Sequence, residues 1–161
     1  ESAPGQARAE LLQGGAAKAG GAIVQDHLGA NCLACHAVTE TGSTVGPNLR
    51  TIGQAKDRAY LLESLIAPSA KLAPGYGLTL VGMKDGSQWS GAPLKETERE
   101  LTLVLSDGTH KTLLRGDIAN QTPPVSIMPP MLGILKPREI RDVVAYLAEL
   151  KGAKKGAAAA H

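Results

Sequence analysis

Three residues that bind metals or attack electrophiles fall within five positions, in the stretch Cys32-Leu33-Ala34-Cys35-His36. The two cysteines are the only ones in the chain, and His36 is one of four histidines. A zinc site wants four ligands, normally with a second Cys or His pair further along. This sequence has no third cysteine, and His27, His110 and His161 are scattered. A thioredoxin-like redox pair wants a surrounding βαβ pattern. Here a helical run precedes the cysteines and a Gly-containing loop follows them. A structural disulfide across two intervening residues stays open, but it leaves His36 without a role.

Cys-x-x-Cys-His is also the attachment pattern of c-type haem. Two thiols at this spacing reach two vinyl groups on one porphyrin edge and form thioethers. The histidine that follows at once is carried under the iron by one helical turn. On this reading Cys32 and Cys35 bind the cofactor covalently, and His36 is the proximal iron ligand. A carrier of electrons then wants a sixth ligand on the opposite face, and methionine sulfur raises the potential. The candidates are Met83, Met128 and Met131. Met128 and Met131 lie in Ser126-Ile-Met-Pro-Pro-Met-Leu132, where proline stiffens the backbone and offers no N–H that must be satisfied. Met83 sits in alternating strand-like sequence, where filling a core is its expected use.

The elements that must hold these residues are helices at the two ends and strands between. Ala17–Asp26 reads as a short helix with Ile23 and Val24 on its apolar edge. Gly20 and Gly21 interrupt it, and such a pair in a helix points to a close approach by another helix. Asp57–Ala67 reads as a helix with Asp57 as N-cap, a stripe of Leu61, Leu62, Leu65 and Ile66, and Pro68 as its stop. Pro137–Lys151 is the clearest helix, with proline in the first turn, Glu139 near the positive end, and Ile140, Val143, Val144, Leu147 and Leu150 at helical spacing. Between the last two, the period changes. Leu78–Met83, Gln88–Pro93, Glu100–Leu105 and His110–Arg115 are short strand-like runs, with Asp85-Gly86 and Asp107-Gly108 as hairpin turns. About four strands in a meander are expected there, as a small sheet or partial barrel. Trp89 could pack against a haem, but that sheet's own core is its expected use.

The 161 residues are 43% hydrophobic, enough for one packed domain or for one domain with a sizeable insertion. A formal net charge of +2 does not nominate nucleic acid or a membrane surface as partner. No apolar run approaches the roughly 20 residues that span a bilayer. The chain has no Phe, one Trp and three Tyr. Aromatic side chains ordinarily supply much of a core's buried area. Their scarcity reflects either an Ala/Gly-rich composition or a large flat cofactor in the core. Residues 1–15, with a helical run at Ala7–Leu12, read as a linker or the trimmed end of a larger chain, and 152–161 as a frayed low-complexity tail.

Four segments together resemble the class I cytochrome c family. They are Ala19–Val24 (AGGAIV), the CLACH stretch, Gly46–Leu49 (GPNL), and Met128–Leu150 ending in an Ala-Tyr-Leu helix. The resemblance covers roughly residues 10–150. It implies a mainly α cytochrome c fold over 16–151, with crossing N- and C-terminal helices and one covalent haem c in the core. A small antiparallel sheet would be inserted at about 77–121. It further implies that the Pro47 carbonyl accepts the Nδ1–H of His36, that Tyr146 packs at the crossing with Gly20, and that Met128 is the distal iron ligand, with Met131 second choice. The strand-rich middle departs from small cytochromes c. Phrases such as ESLIAPSAKLAPGYG and DGSQWSGAPLKE are reminiscent of C-terminal haem-binding domains of large planctomycete and verrucomicrobial proteins.

What the resemblance implies is one-electron transfer by an electron carrier and not an enzyme. The donor would be a dehydrogenase, a quinoprotein fused upstream being one form. The acceptor would be another cytochrome or an oxidase. The location would be periplasmic or exported. An alternative is a haem-based ligand-binding or sensory domain with an open distal site. A haem peroxidase would need a distal base, and the only mid-chain histidine, His110, flanks a hairpin turn. Arg50, Lys56 and Arg58 are candidates to pair with haem propionates, although ordinary solvated surface accounts for them as well.

Overall fold

In a computed structural model, residues 9–40 and 42–152 are described. The chain divides into two compact units: residues 1–67 with 130–161, and residues 68–129. The expected tail beyond Gly152 and residues 1–8 of the expected linker lie outside the described residues; residues 9–12 are helical.

The first unit is helical. Its elements are α1 (Ala17–Asp26), a 3₁₀ turn at Cys32–Ala34, α2 (Ile52–Ala55), α3 (Arg58–Ile66) and α4 (Pro137–Glu149). α3 begins where its cap dictates: the Asp57 carboxylate accepts the Tyr60 N–H at 2.8 Å. α4 begins at Pro137, and the Glu139 carboxylate reaches back to the Lys136 N–H at 2.7 Å. The short α2 carries no sequence signal of its own. It forms because Gly53 lies against the C-terminal end of α4, its N–H bonding the Leu150 carbonyl at 2.9 Å.

α1 and α4 pack on each other, and this contact builds the core of the unit. Val24 from α1 meets a face of α4 in which Ile140, Val143 and Val144 are fully enclosed, while Leu61, Leu62 and Leu65 bring in α3. The two glycines of α1 divide the work. A methyl at Gly20 would lie 2.9 Å from the Val143 nitrogen and nearer still to the Asp142 carbonyl, so the two backbones touch there. A methyl at Gly21 would meet the Tyr146 ring at 3.0 Å. Tyr146 therefore packs over Gly21, one residue on from the position expected, because Gly20 faces the α4 backbone. The chain before α1 is pinned as well. Arg58 donates to the Leu12 carbonyl at 2.7 Å, and Asp142 accepts the Ala16 N–H at 2.7 Å.

The second unit is one antiparallel sheet of five strands in the order β4-β3-β2-β1-β5. The strands are β1 (Thr79–Met83), β2 (Gln88–Glu96), β3 (Glu100–Val104), β4 (His110–Leu114) and β5 (Ile118–Gln121). The sheet has five strands where about four are expected, and β5 is the addition. Ile-Ala-Asn-Gln has no alternating apolar pattern, so nothing local marks it. It becomes a strand because β1 offers it an edge, with Val81 opposite Gln121 and Met83 opposite Ile118. β2 also runs past Pro93, where the expected strand stopped, because the ladder with β3 absorbs the proline through a bulge between Pro93 and Lys95. One face of the sheet buries Val81, Leu101, Leu103 and Leu113, with Met83, Trp89, Leu105 and Ile118 packed around them. Trp89 thus serves the sheet's own core, and the Lys111 ammonium lies 4.4 Å from its ring centroid.

Candidate haem-attachment site

The site is assembled by a short irregular stretch between α1 and α2. After α1 the chain turns through Asn31, whose φ of 44° is left-handed, into the 3₁₀ turn that holds Cys32. The turn continues far enough for the His36 N–H to bond the Cys32 carbonyl at 2.9 Å. That hydrogen bond fixes the first cysteine and the histidine one helical turn apart. Both cysteines are unpaired thiols, so the disulfide left open by their spacing is not formed. Both are half-buried. Burial pushes the Cys32 thiol above its usual range, with the neighbouring Cys35 adding to the rise and a backbone hydrogen bond opposing it. Among the described residues, no three His, Cys, Asp or Glu side chains converge as a metal-binding group.

The following loop closes on His36. Its Nδ1 lies 2.6 Å from the Pro47 carbonyl. A carbonyl can only accept, so Nδ1 carries a proton, and in the neutral tautomer this selects, the lone pair is on Nε2. Three successive carbonyls are tied to the same loop: Cys35 to the Gly46 N–H at 2.7 Å, His36 to the Ser43 N–H at 3.2 Å, and Ala37 to the Leu49 N–H at 2.8 Å. The GPNL resemblance pointed to Pro47. It did not reveal the contributions of Ser43, Gly46 and Leu49, because backbone hydrogen bonds leave no trace in side-chain identity.

The two methionines named for the sixth position are placed differently. Met131 belongs to the helical unit with His36, is 2% exposed, and donates its N–H to the Leu65 carbonyl at 2.7 Å. Met128 belongs to the strand unit, is half-buried, and its N–H bonds the Ser126 hydroxyl at 3.0 Å. Of the three basic residues considered for propionates, Arg50 pairs with Glu40, Arg58 holds the Leu12 and Gly14 carbonyls, and Lys56 lies over the Tyr60 ring at 4.4 Å.

The sequence matches the family model described as cytochrome c over residues 17–102, just over half of the chain. The chain belongs to the cytochrome c family. The match begins at the first residue of α1, takes in Cys32, Cys35, His36 and Pro47, and ends within β3. No curated protein sequence matches the chain. Membership brings with it covalently bound haem c, iron, a haem-based electron-transfer role and redox proteins as partners. The residues present fit that group. Two unpaired thiols are separated by two residues, and an imidazole that donates from Nδ1 leaves its Nε2 side for a metal. Large apolar side chains nearby in the sequence stand uncovered, Leu28 at 94% exposed and Val45 at 57%. No helix among the described residues is long and apolar enough to cross a membrane.

Proposed function

We propose that this cytochrome c domain is a single-haem electron carrier with His36 and Met128 as the axial iron ligands. The observation that carries the reading is the His36 imidazole, which donates from Nδ1 to the Pro47 carbonyl at 2.6 Å and follows directly on two unpaired thiols. Haem c, when bound, supplies a one-electron iron couple and leaves no chemistry on substrate for the chain to perform. The chain's own residues would do the rest. Cys32 and Cys35 would hold the cofactor through thioethers, and the Pro47 carbonyl would orient the ring and raise the basicity of Nε2. Met128 is preferred over Met131 because Met131 is committed to the helical core, whereas the half-buried Met128 is not. Its sulfur would favour ferrous iron and a positive potential.

The donor would be a dehydrogenase, a quinoprotein fused upstream among the forms it takes, and the acceptor another cytochrome or an oxidase. The setting would be periplasmic or exported. The strand unit would be an insertion into the cytochrome fold of the kind the sequence resemblance implies. The test is an optical spectrum of both redox states. A weak ferric band toward the red, diagnostic of sulfur-to-iron ligation, should vanish in Met128→Ala and persist in Met131→Ala. Ready binding of carbon monoxide by the ferrous wild type would instead mean an open distal site, and would replace the carrier reading with a ligand-binding one.

A further inference from the structure

We propose that Gly46 is a positioning residue for the His36 imidazole, setting the tilt of the ring by having no side chain. The inference rests on His36 being the proximal ligand. A methyl group at Gly46 would lie 2.8 Å from His36 Cε1, 3.1 Å from Nδ1 and 3.2 Å from the Cys35 carbonyl oxygen. The first of these is closer than carbon atoms approach without repulsion, which sets in below about 3.5 Å. Gly46 is buried, and its N–H is bonded to the Cys35 carbonyl at 2.7 Å, so the backbone on this side is held. Its φ is not in the left-handed region, so backbone conformation does not require glycine here. The requirement is space for the ring.

The geometry makes this more than a packing contact. Cε1 lies between Nδ1 and Nε2. A group pressing on it tilts the ring, lengthens the 2.6 Å bond from Nδ1 to the Pro47 carbonyl and turns the Nε2 lone pair together. In the haem-free chain the imidazole can rotate away by giving up its bond to the Pro47 carbonyl. Once Nε2 is committed to iron, it cannot. The penalty of a larger residue at 46 therefore falls on the haem-bound form. A weaker Nδ1–H bond makes the imidazole a poorer donor, which disfavours ferric iron and raises the potential.

Gly42 provides the contrast. A methyl there would lie 2.6 Å from the Ala37 Cα and closer to the His36 carbonyl, and its φ of 124° is one that other residues rarely adopt. It presses on the histidine's backbone and not on its ring. The experiment compares Gly46→Ala with Gly42→Ala in the haem-loaded full chain. It measures reduction potential, the g-values of the ferric electron paramagnetic resonance spectrum, and thermal stability with and without haem. Gly46→Ala should shift the ferrous-to-ferric ratio at fixed potential severalfold, up to about tenfold or ~59 mV for one electron. It should also change the g-values and lose more stability in the haem-bound form than in the haem-free one. Gly42→Ala should lose stability in both forms and keep the wild-type g-values. If Gly46→Ala keeps both potential and g-values, or if Gly42→Ala changes them equally, the positioning role is overturned. A wild type whose own spectrum lacks histidine-ligated low-spin haem would fail the underlying reading instead, before either variant is compared.

Discussion

Replacing Gly20 by alanine should destabilise the protein, although alanine is the better helix former. The two effects oppose each other, and their sizes decide the sign. Within a helix, Gly→Ala gains about 1 kcal/mol of propensity. At Gly20 the new methyl would sit 2.9 Å from the Val143 nitrogen and nearer still to the Asp142 carbonyl. Both atoms are backbone of α4, so no side chain can rotate away. α1 must retreat, loosening Val24 (2% exposed) from Ile140 and Val144, each 0% exposed. Overpacking of this kind costs about 3 kcal/mol where nothing can yield. The net loss is about 2 kcal/mol, a fall in Tm of about 4–8 °C for a chain of this size. Thermal melting followed by helical circular dichroism on the haem-loaded protein measures it. Gly21→Ala meets only the Tyr146 ring, a side chain that can rotate, and should cost less. Gly116→Ala meets nothing within 4 Å and should leave Tm where it is. A Gly20→Ala protein that melts at or above the wild-type temperature, or no lower than Gly21→Ala, would refute the idea that backbone contact between α1 and α4 demands the glycine.

Met131→Ala should cost about 2–5 kcal/mol in denaturant unfolding, as the loss of a side chain only 2% exposed, while leaving the ferric red band in place. Burial raises the Cys32 pKa, so the stability it reflects is present below the unfolded thiol's value and is lost as pH rises towards the folded one. The haem-free protein should therefore weaken above about pH 8.5. Iodoacetamide at pH 8 should also modify Cys32 more slowly than it does a free thiol, and equal rates would contradict the burial argument. At the hairpin tips, hydrogen bonds from Ser87 and Thr109 hold the Asp85 and Asp107 carboxyls below their usual range. That contribution is present above the unfolded carboxyl value and is lost as pH falls through the folded one. The Ser87 and Thr109 amide resonances should accordingly broaden below about pH 4, and Asp85→Asn should lose this pH dependence at Ser87 alone.

The parts of this protein that local chemistry specifies could be read from the chain. Ala17–Asp26 carries its own apolar edge and forms a helix over those residues, and Asp57 caps α3 through the Tyr60 N–H. The Asp85-Gly86 and Asp107-Gly108 turns place glycines at φ of 88° and 82°, which the side-chain pattern around them anticipates. Cys32, Cys35 and His36 are consistent with a haem-attachment motif, and their spacing within a single turn is visible in the chain itself. These are short-range requirements, and sequence states them directly.

What only the tertiary structure decided depends on partners distant in the chain. β5 exists because β1 has a free edge, not because Ile118–Gln121 prefers to extend. α2 exists because Gly53 can lie against the end of α4. Gly20 and Gly21 look alike in sequence, yet one answers to a backbone and the other to the Tyr146 ring. Gly46 reads as one letter of a loop until it is found against the His36 imidazole. In each case the residue's role is set by whatever occupies the space beside it, and that space is filled by residues the local sequence does not contain.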